Sequence, residues 1–140
     1  MTNPKASTVT IDIASRLEML ETVQTVLGHV TSLVGFDDDS AHYMSVAVRE
    51  SVVNAMKHGN RGNERKRVKV SFIIRPRVLE VSVLDEGPGF DPHRIPDPVA
   101  DENLLKADGR GIFFMRSFMD EVEYSFPPEG GTLVRLVKRL

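Results

Sequence analysis

Hydrophobic residues alternate with polar ones at Val9, Ile11 and Ile13, after which the spacing lengthens to that of Leu17, Leu20, Val23, Leu27, Val30 and Val34. The switch from a period of two to one of about 3.6 predicts a short strand followed by a helix. Ser15 and Glu18 have the spacing of a capping box at the start of that helix, and Gly35 supplies its stop. FDDDS at 36–40 then offers acidic N-caps for a second helix over about Ser40 to His58, closed by Gly59.

On the second helix Met44, Val48, Val52, Ala55 and Met56 cover one side, while Val46, Ala47 and Val53 extend the apolar surface around most of the rest. A helix apolar nearly all round is expected to be buried. Glu50, Asn54 and His58 interrupt it. At about 100° per residue they share an arc of about 80°, one polar stripe in apolar surroundings. An unpaired buried polar group costs several kcal/mol, roughly 2 to 7, so the stripe calls for a partner.

NRGNERK turns the chain into the alternating run Val68, Val70, Phe72, Ile74, and Pro76-Arg77 turns it back into Leu79, Val81, Val83. This is a hairpin whose second strand ends at Asp85. Pro88, Pro92, Pro96 and Pro98 punctuate a stretch of neither period, a candidate lid at about 90–108. A third helix is expected from Gly109 to Asp120, then strands over Val122–Phe126 and Leu133–Val137 joined at PPEGG. The hairpins on both sides of the lid require antiparallel pairing. The expected fold is therefore an α/β (α+β) two-layer sandwich, with helices on one face of a mixed, mostly antiparallel sheet, in a single domain over 1–140.

Composition narrows the function classes. At 140 residues with 41% hydrophobic side chains, one domain buries about two-thirds of the surface of its unfolded form. Zero cysteines exclude disulfides, thiolate metal sites and cysteine nucleophiles, and agree with a reducing cytoplasm. The opening MTNPKASTVTIDIAS has no apolar signal core, and no run approaches the ~18 apolar residues of a membrane span. A net charge of −2 lacks the basic field on which non-specific nucleic-acid binding relies. The local cluster Arg61, Arg65, Lys66, Arg67 and Lys69 is expected to be a solvated strand edge. His29, His42 and His93 have no ligand spacing and are expected at the surface or in packing.

Two glycine-rich stretches carry candidate chemistry. In DEGPGF (85–90) an acid at a strand end precedes glycines at 87 and 89, which let backbone approach a ligand without a Cβ in the way. Such an acid accepts a hydrogen bond from an exocyclic amine. Gly109-Arg110-Gly111 opens the third helix, where backbone N–H groups form an anion site and Arg110 adds a charge-assisted contact. Each stretch alone also fits a surface turn or a hinge. Their order behind the polar stripe is more specific than any part, whereas GxxxxGK[ST] and a GxGxxG after a strand are both missing.

In that order, RESVVNAMKHGN resembles the N box of the GHKL (Bergerat-fold) ATPase superfamily, LDEGPGF its first glycine box, and DGRGIFFMRSFMDEV its second. The last stretch is most similar to the anti-sigma-factor serine kinases. The resemblance covers essentially the whole chain. It implies ATP with Mg²⁺ as cofactors, Asn54 as the oxygen ligand that holds Mg²⁺ against the phosphates, and Glu50 as the acid that polarises the attacking hydroxyl. It further implies Asp85 as the adenine-reading acid, Gly87 and Gly89 as its loop, Gly109, Arg110 and Gly111 as the phosphate-side loop, and Thr132 as a hydroxyl supporting the adenine contact. His58 is expected to orient the helix end on the nucleotide side.

The function that this resemblance implies is an anti-sigma factor and serine/threonine protein kinase, acting on a sigma factor and on an anti-sigma-factor antagonist of the STAS type. It also implies a homodimer, for which the apolar first helix and opening strand fit equally as seam or core face. The protein is expected in the cytoplasm, without direct nucleic-acid or membrane partners. The alternative is a nucleotide-dependent binding module of another signalling pathway with little kinase activity.

Overall fold

The structure is a computed structural model that describes residues 6–87 and 116–140. Strand β1 (Ser7–Ala14) leads through a short 3-10 turn at Leu17–Met19 into α1 (Leu20–Val34), followed by α2 (Asp38–Asn54), which continues as a π turn over Ala55–Gly59. The hairpin β2 (Arg67–Arg75) and β3 (Val78–Asp85) follows, and β4 (Glu121–Ser125) and β5 (Leu133–Arg139) complete the described chain. The lid expectation at about 90–108 and most of the third helix lie outside the described residues. Residues 116–118 are helical, at the expected end of that helix.

Five strands form one sheet in the order β1-β2-β3-β5-β4, every pair antiparallel. Alternation sorts the strands into two faces. Val68, Val70 and Phe72 of β2, Leu79, Val81 and Val83 of β3, and Val134 and Leu136 of β5 are buried on the inner face, beneath Val23, Leu27 and Val30 of α1 and Met44, Val48 and Val52 of α2. The other face carries no helix among the described residues. There Val137 is buried outside the main core, in the middle of a charged lattice in which Arg135 meets Glu80 (2.9 Å), Glu123 (3.1 Å) and Glu121 (3.6 Å), and Arg139 meets Glu121. Burial opposes the charge on Arg135, but the three glutamates outweigh it and raise its pKa further. No helix among the described residues is long and apolar enough to cross a membrane.

Local chemistry matches several helix and turn signals. Gly35 sits in the left-handed region (φ 105°) with its N–H on Thr31 O. Asp37 caps α2, accepting from Ser40 N–H at 2.7 Å, and this bond holds its carboxyl below the usual range. Tyr43 of α2 stacks on Phe118 with ring centroids 4.8 Å apart, which joins α2 to the segment after the undescribed stretch.

Three expectations are corrected and one is refined. Ser15 is not a helix cap: its hydroxyl donates to Lys66 O at 2.7 Å, and the 3-10 turn has no side-chain cap. The helix does close at Gly59 as expected, but as a π turn without a left-handed glycine there; positive φ falls at Arg61 (54°) and Gly62 (71°). The basic cluster does not guard an edge, because β2 lies inside the sheet between β1 and β3, and Arg67 pairs with Asp12 of β1 at 2.5 Å. Finally α2 buries one side rather than all round, with Arg49 exposed and Val46 and Val53 half-buried.

Phe72 is fully buried at the centre of the inner face, whereas Leu33 on α1 is 60% exposed. Phe72→Ala is expected to lose about 3–5 kcal/mol of unfolding free energy through lost contacts and a cavity. Leu33→Ala should stay within about 0.5 kcal/mol of wild type, both measured by urea denaturation.

Candidate functional site

β3 ends on Asp85, and the next three links hold that carboxylate in place. Asp85 is 5% exposed. Its Oδ1 accepts from Gly87 N–H (2.9 Å) and from Thr132 N–H (3.0 Å), while its own N–H donates to Thr132 O (3.1 Å), extending the β3 and β5 pairing past Leu84 and Leu133. Oδ2 accepts no hydrogen bond among the described residues. One oxygen is thus fixed by backbone and the other is left as an acceptor for an incoming donor.

Three glycines make room for this arrangement. A Cβ on Gly59 would lie 1.9 Å from Asp85 Oδ2, one on Gly87 would lie 2.0 Å from Gly59 O, and one on Gly131 (φ 87°) would lie 2.3 Å from Asp85 O. The absence of a Cβ at Gly87 also admits the carbonyl of Gly59. Gly59 and Gly131 belong to the site although sequence reasoning assigned them to a helix stop and a turn. Burial is the main influence on the Asp85 carboxyl and raises its pKa above the ordinary value of 3.8; the Gly87 and Thr132 N–H groups and the charge of Lys66 oppose the shift without cancelling it.

α2 brings the other polar groups. Glu50 is half-buried and makes no hydrogen bond or ion pair among the described residues. Asn54, one turn later, has its Oδ1 buried with no partner among the described residues, and the hydroxyl of Ser51 is buried in the same way. An orphaned buried oxygen carries a desolvation penalty that a bound cation or donor would relieve. At residue 55 the helix widens to a π turn, with Asn60 N–H on Ala55 O at 2.8 Å. The wider turn breaks the regular step from which the polar stripe was inferred, and His58 is exposed on it. π turns of this kind recur at functional sites.

Of the sequence-predicted residues, the structure brings Asp85, Gly87 and Thr132 into direct contact and sets Glu50, Asn54 and His58 along the helix whose end packs on them. Thr132 meets Asp85 through its main-chain N–H and C=O. Gly89, Gly109, Arg110 and Gly111 lie outside the described residues. Asn60, which sequence reasoning passed over as part of a turn, is 1% exposed and hydrogen-bonded at every polar atom of its side chain. Its signal was faint: an asparagine directly after a helix-ending glycine.

Among the described residues no group of three or more His, Asp or Glu side chains is placed to hold a metal ion. The orphaned Asn54 Oδ1 fits a Mg²⁺ ion that takes one protein oxygen and draws its other ligands from phosphate and water.

The pH dependence of stability follows from the raised pKa of Asp85. The folded state holds this proton more tightly than the unfolded state. Stability from this group therefore falls as pH rises from the unfolded value of 3.8 to the higher folded value, and the full penalty persists above it. Asp85→Asn, which keeps an Oδ1 acceptor without the charge, should gain on wild type in unfolding free energy as pH rises through this window. Denaturant titrations at pH 3.5 and pH 7 check this; a difference independent of pH would mean that the charge carries no such penalty.

Comparisons with known proteins place the chain in a family. A family profile described as "Histidine kinase-like ATPase domain" matches residues 13–138. The serine-protein kinase RsbW of Listeria monocytogenes serovar 1/2a is 26% identical over 132 residues, covering 90% of this chain and 83% of that protein. The anti-sigma F factor of Bacillus subtilis strain 168 is 33% identical over 104 residues, 73% of this chain and 71% of that one. A crystal structure of RsbU and RsbW domains from Mycobacterium tuberculosis superposes with a TM-score of 0.66 at 20% identity; the match covers 96% of this chain and 32% of that longer one, and it supports the fold alone. The chain belongs to the histidine kinase-like ATPase domain family, and is similar to proteins named serine-protein kinase RsbW and anti-sigma F factor.

Proposed function

We propose that this protein is an ATP-dependent serine/threonine protein kinase that also acts as an anti-sigma factor, and that its phosphoacceptor is a serine or threonine of a STAS-type antagonist. The observation that carries the reading is the Asp85 carboxylate, with Oδ1 fixed by two backbone N–H groups and Oδ2 without a donor among the described residues. That is the arrangement needed to accept the 6-amino group of adenine. The family to which the chain belongs and the names of its relatives support the reaction class.

In this reading each described residue has a role. Asp85 orients the base, while Gly59, Gly87 and Gly131 let the surrounding backbone close on that carboxylate. Asn54 would hold Mg²⁺ through Oδ1, and the ion supplies neutralisation of phosphate charge when bound. Glu50, one helical turn before Asn54, takes the proton of the partner hydroxyl. The hydroxyl oxygen forms a bond to the γ-phosphorus as the bond to the β-phosphate bridging oxygen breaks, and ADP leaves. Catalysis of this kind depends on alignment and charge, with little covalent work for the protein. Gly109, Arg110 and Gly111 remain assigned to the phosphate side, and His58 to the helix end beside the nucleotide.

A sigma factor and an antagonist are the partners, held in turn by one protein, and we extend the proposal to a homodimer working in the cytoplasm. Glu50→Ala is expected to bind ATP as wild type does while phosphorylating a STAS-domain protein of the same genome about a hundredfold to ten-thousandfold more slowly. Asn54→Ala should instead lose the Mg²⁺-dependent part of ATP affinity. Mass spectrometry of the acceptor and calorimetry with and without Mg²⁺ read these two effects. Wild-type phosphorylation by Glu50→Ala removes Glu50 as the base; a wild-type protein that phosphorylates no STAS protein of its genome leaves the nucleotide-dependent binding module as the better reading.

A further inference from the structure

Asn60 joins four chain segments through a single buried amide. Its Nδ2 donates to Ser15 Oγ at 2.7 Å, just past the end of β1, and to Arg67 O at 3.0 Å, the first residue of β2. Its Oδ1 accepts from Glu86 N–H at 2.8 Å, the residue after Asp85 at the end of β3. Its own backbone N–H closes the π turn on Ala55 O. The partners fix the orientation of the amide, since Glu86 N–H only donates and Arg67 O only accepts. Glu86 reciprocates, its carboxylate accepting from Arg67 N–H at 2.8 Å.

This network ends one peptide from the Asp85 carboxylate. The Asn60 to Glu86 bond sets the plane of the peptide that follows Asp85, and the Gly59 carbonyl, next to Asn60, occupies the space beside Gly87. A shift of Asn60 therefore moves both the backbone that carries Asp85 and the wall against which Oδ2 lies. Aspartate here would keep the Glu86 N–H on one oxygen but set the other against the Arg67 carbonyl with no proton to offer, alanine would leave Glu86 N–H and Arg67 O unpaired, and glutamine is one methylene too long for the same three partners.

We infer that Asn60 is a positioning residue for base recognition: it sets the direction of the free Asp85 oxygen and so the preference of the site for a purine carrying a 6-amino group. The inference rests on the reading of Asp85 as the adenine acceptor. A merely structural amide would lower stability, and with it the folded fraction, equally for every nucleotide. A positioning amide changes the ratio of affinities for two nucleotides that differ only in the amine.

The experiment measures, by isothermal titration with Mg²⁺, dissociation constants for ATP and for purine riboside triphosphate, which lacks the 6-amino group. A hydrogen bond to a carboxylate gives wild type an expected preference for ATP of about ten- to a hundredfold. Asp85→Asn and Asn60→Ala should each reduce that preference to about threefold or less, and the double variant should show no further loss. Ser15→Ala, which takes away one of the two Nδ2 acceptors, should reduce it about two- to threefold, and it carries the test if Asn60→Ala does not fold. If Asp85→Asn loses the preference while folded Asn60→Ala keeps the wild-type ratio, or Ser15→Ala keeps it where Asn60→Ala does not fold, Asn60 is structural only and the inference is overturned. If Asp85→Asn itself keeps the wild-type ratio, the adenine reading fails and takes this inference with it.

Discussion

A carboxylate withdrawn from water at the end of a central strand is the constraint around which this structure is arranged. Asp85 keeps its place because two N–H groups from different parts of the chain, at Gly87 and Thr132, converge on one oxygen. Those donors reach it only if three backbone segments approach closely, and glycine at 59, 87 and 131 permits the approach. The net effect leaves the acid more reluctant to ionise than an exposed one. A donor at Oδ2 would offset part of the desolvation that burial imposes on the charged carboxylate.

The sandwich supplies the rigidity that such a site needs. β3 is flanked by β2 and β5, so the strand that delivers Asp85 is hydrogen-bonded on both sides along its length. Its inner residues Leu79, Val81 and Val83 are fixed beneath the helices. α2, whose far end bears Glu50 and Asn54, rests on the same core through Met44, Val48 and Val52. Asp85 at the strand end and Glu50 and Asn54 on the helix are therefore held by one packed unit, and a π turn at Ala55–Gly59 lies between them.

Strand and helix positions were legible in the sequence because each buries one face and so imposes its period, as in Val68, Val70 and Phe72 or Val23, Leu27 and Val30. The motif residues Asp85 and Asn54 were legible as well, since an acid between a strand and glycines, or an amide amid apolar helix residues, violates the local pattern. What stayed hidden depends on contacts distant in sequence. Ser15 has the spacing of a cap, yet its hydroxyl serves Lys66 and Asn60 more than forty positions away. Gly59 and Gly131 look like punctuation until Asp85 is placed against them. The π turn left no trace in periodicity, because five residues are too few to reveal a changed step.

The order of the strands has a consequence for the life of the protein on the ribosome. β5 is made after β4 yet lies between β4 and β3, and Thr132, which precedes it, supplies a donor that the Asp85 carboxylate needs. A nascent chain that has completed β1, β2 and β3 holds an acid at a strand end with half of its support missing. Pairing across nearly fifty intervening residues is slow relative to local helix formation. Full support of the Asp85 carboxylate thus arrives only once Thr132 and β5 have been made and paired, so that a ligand held by that carboxylate stabilises chains extending past this point rather than shorter ones.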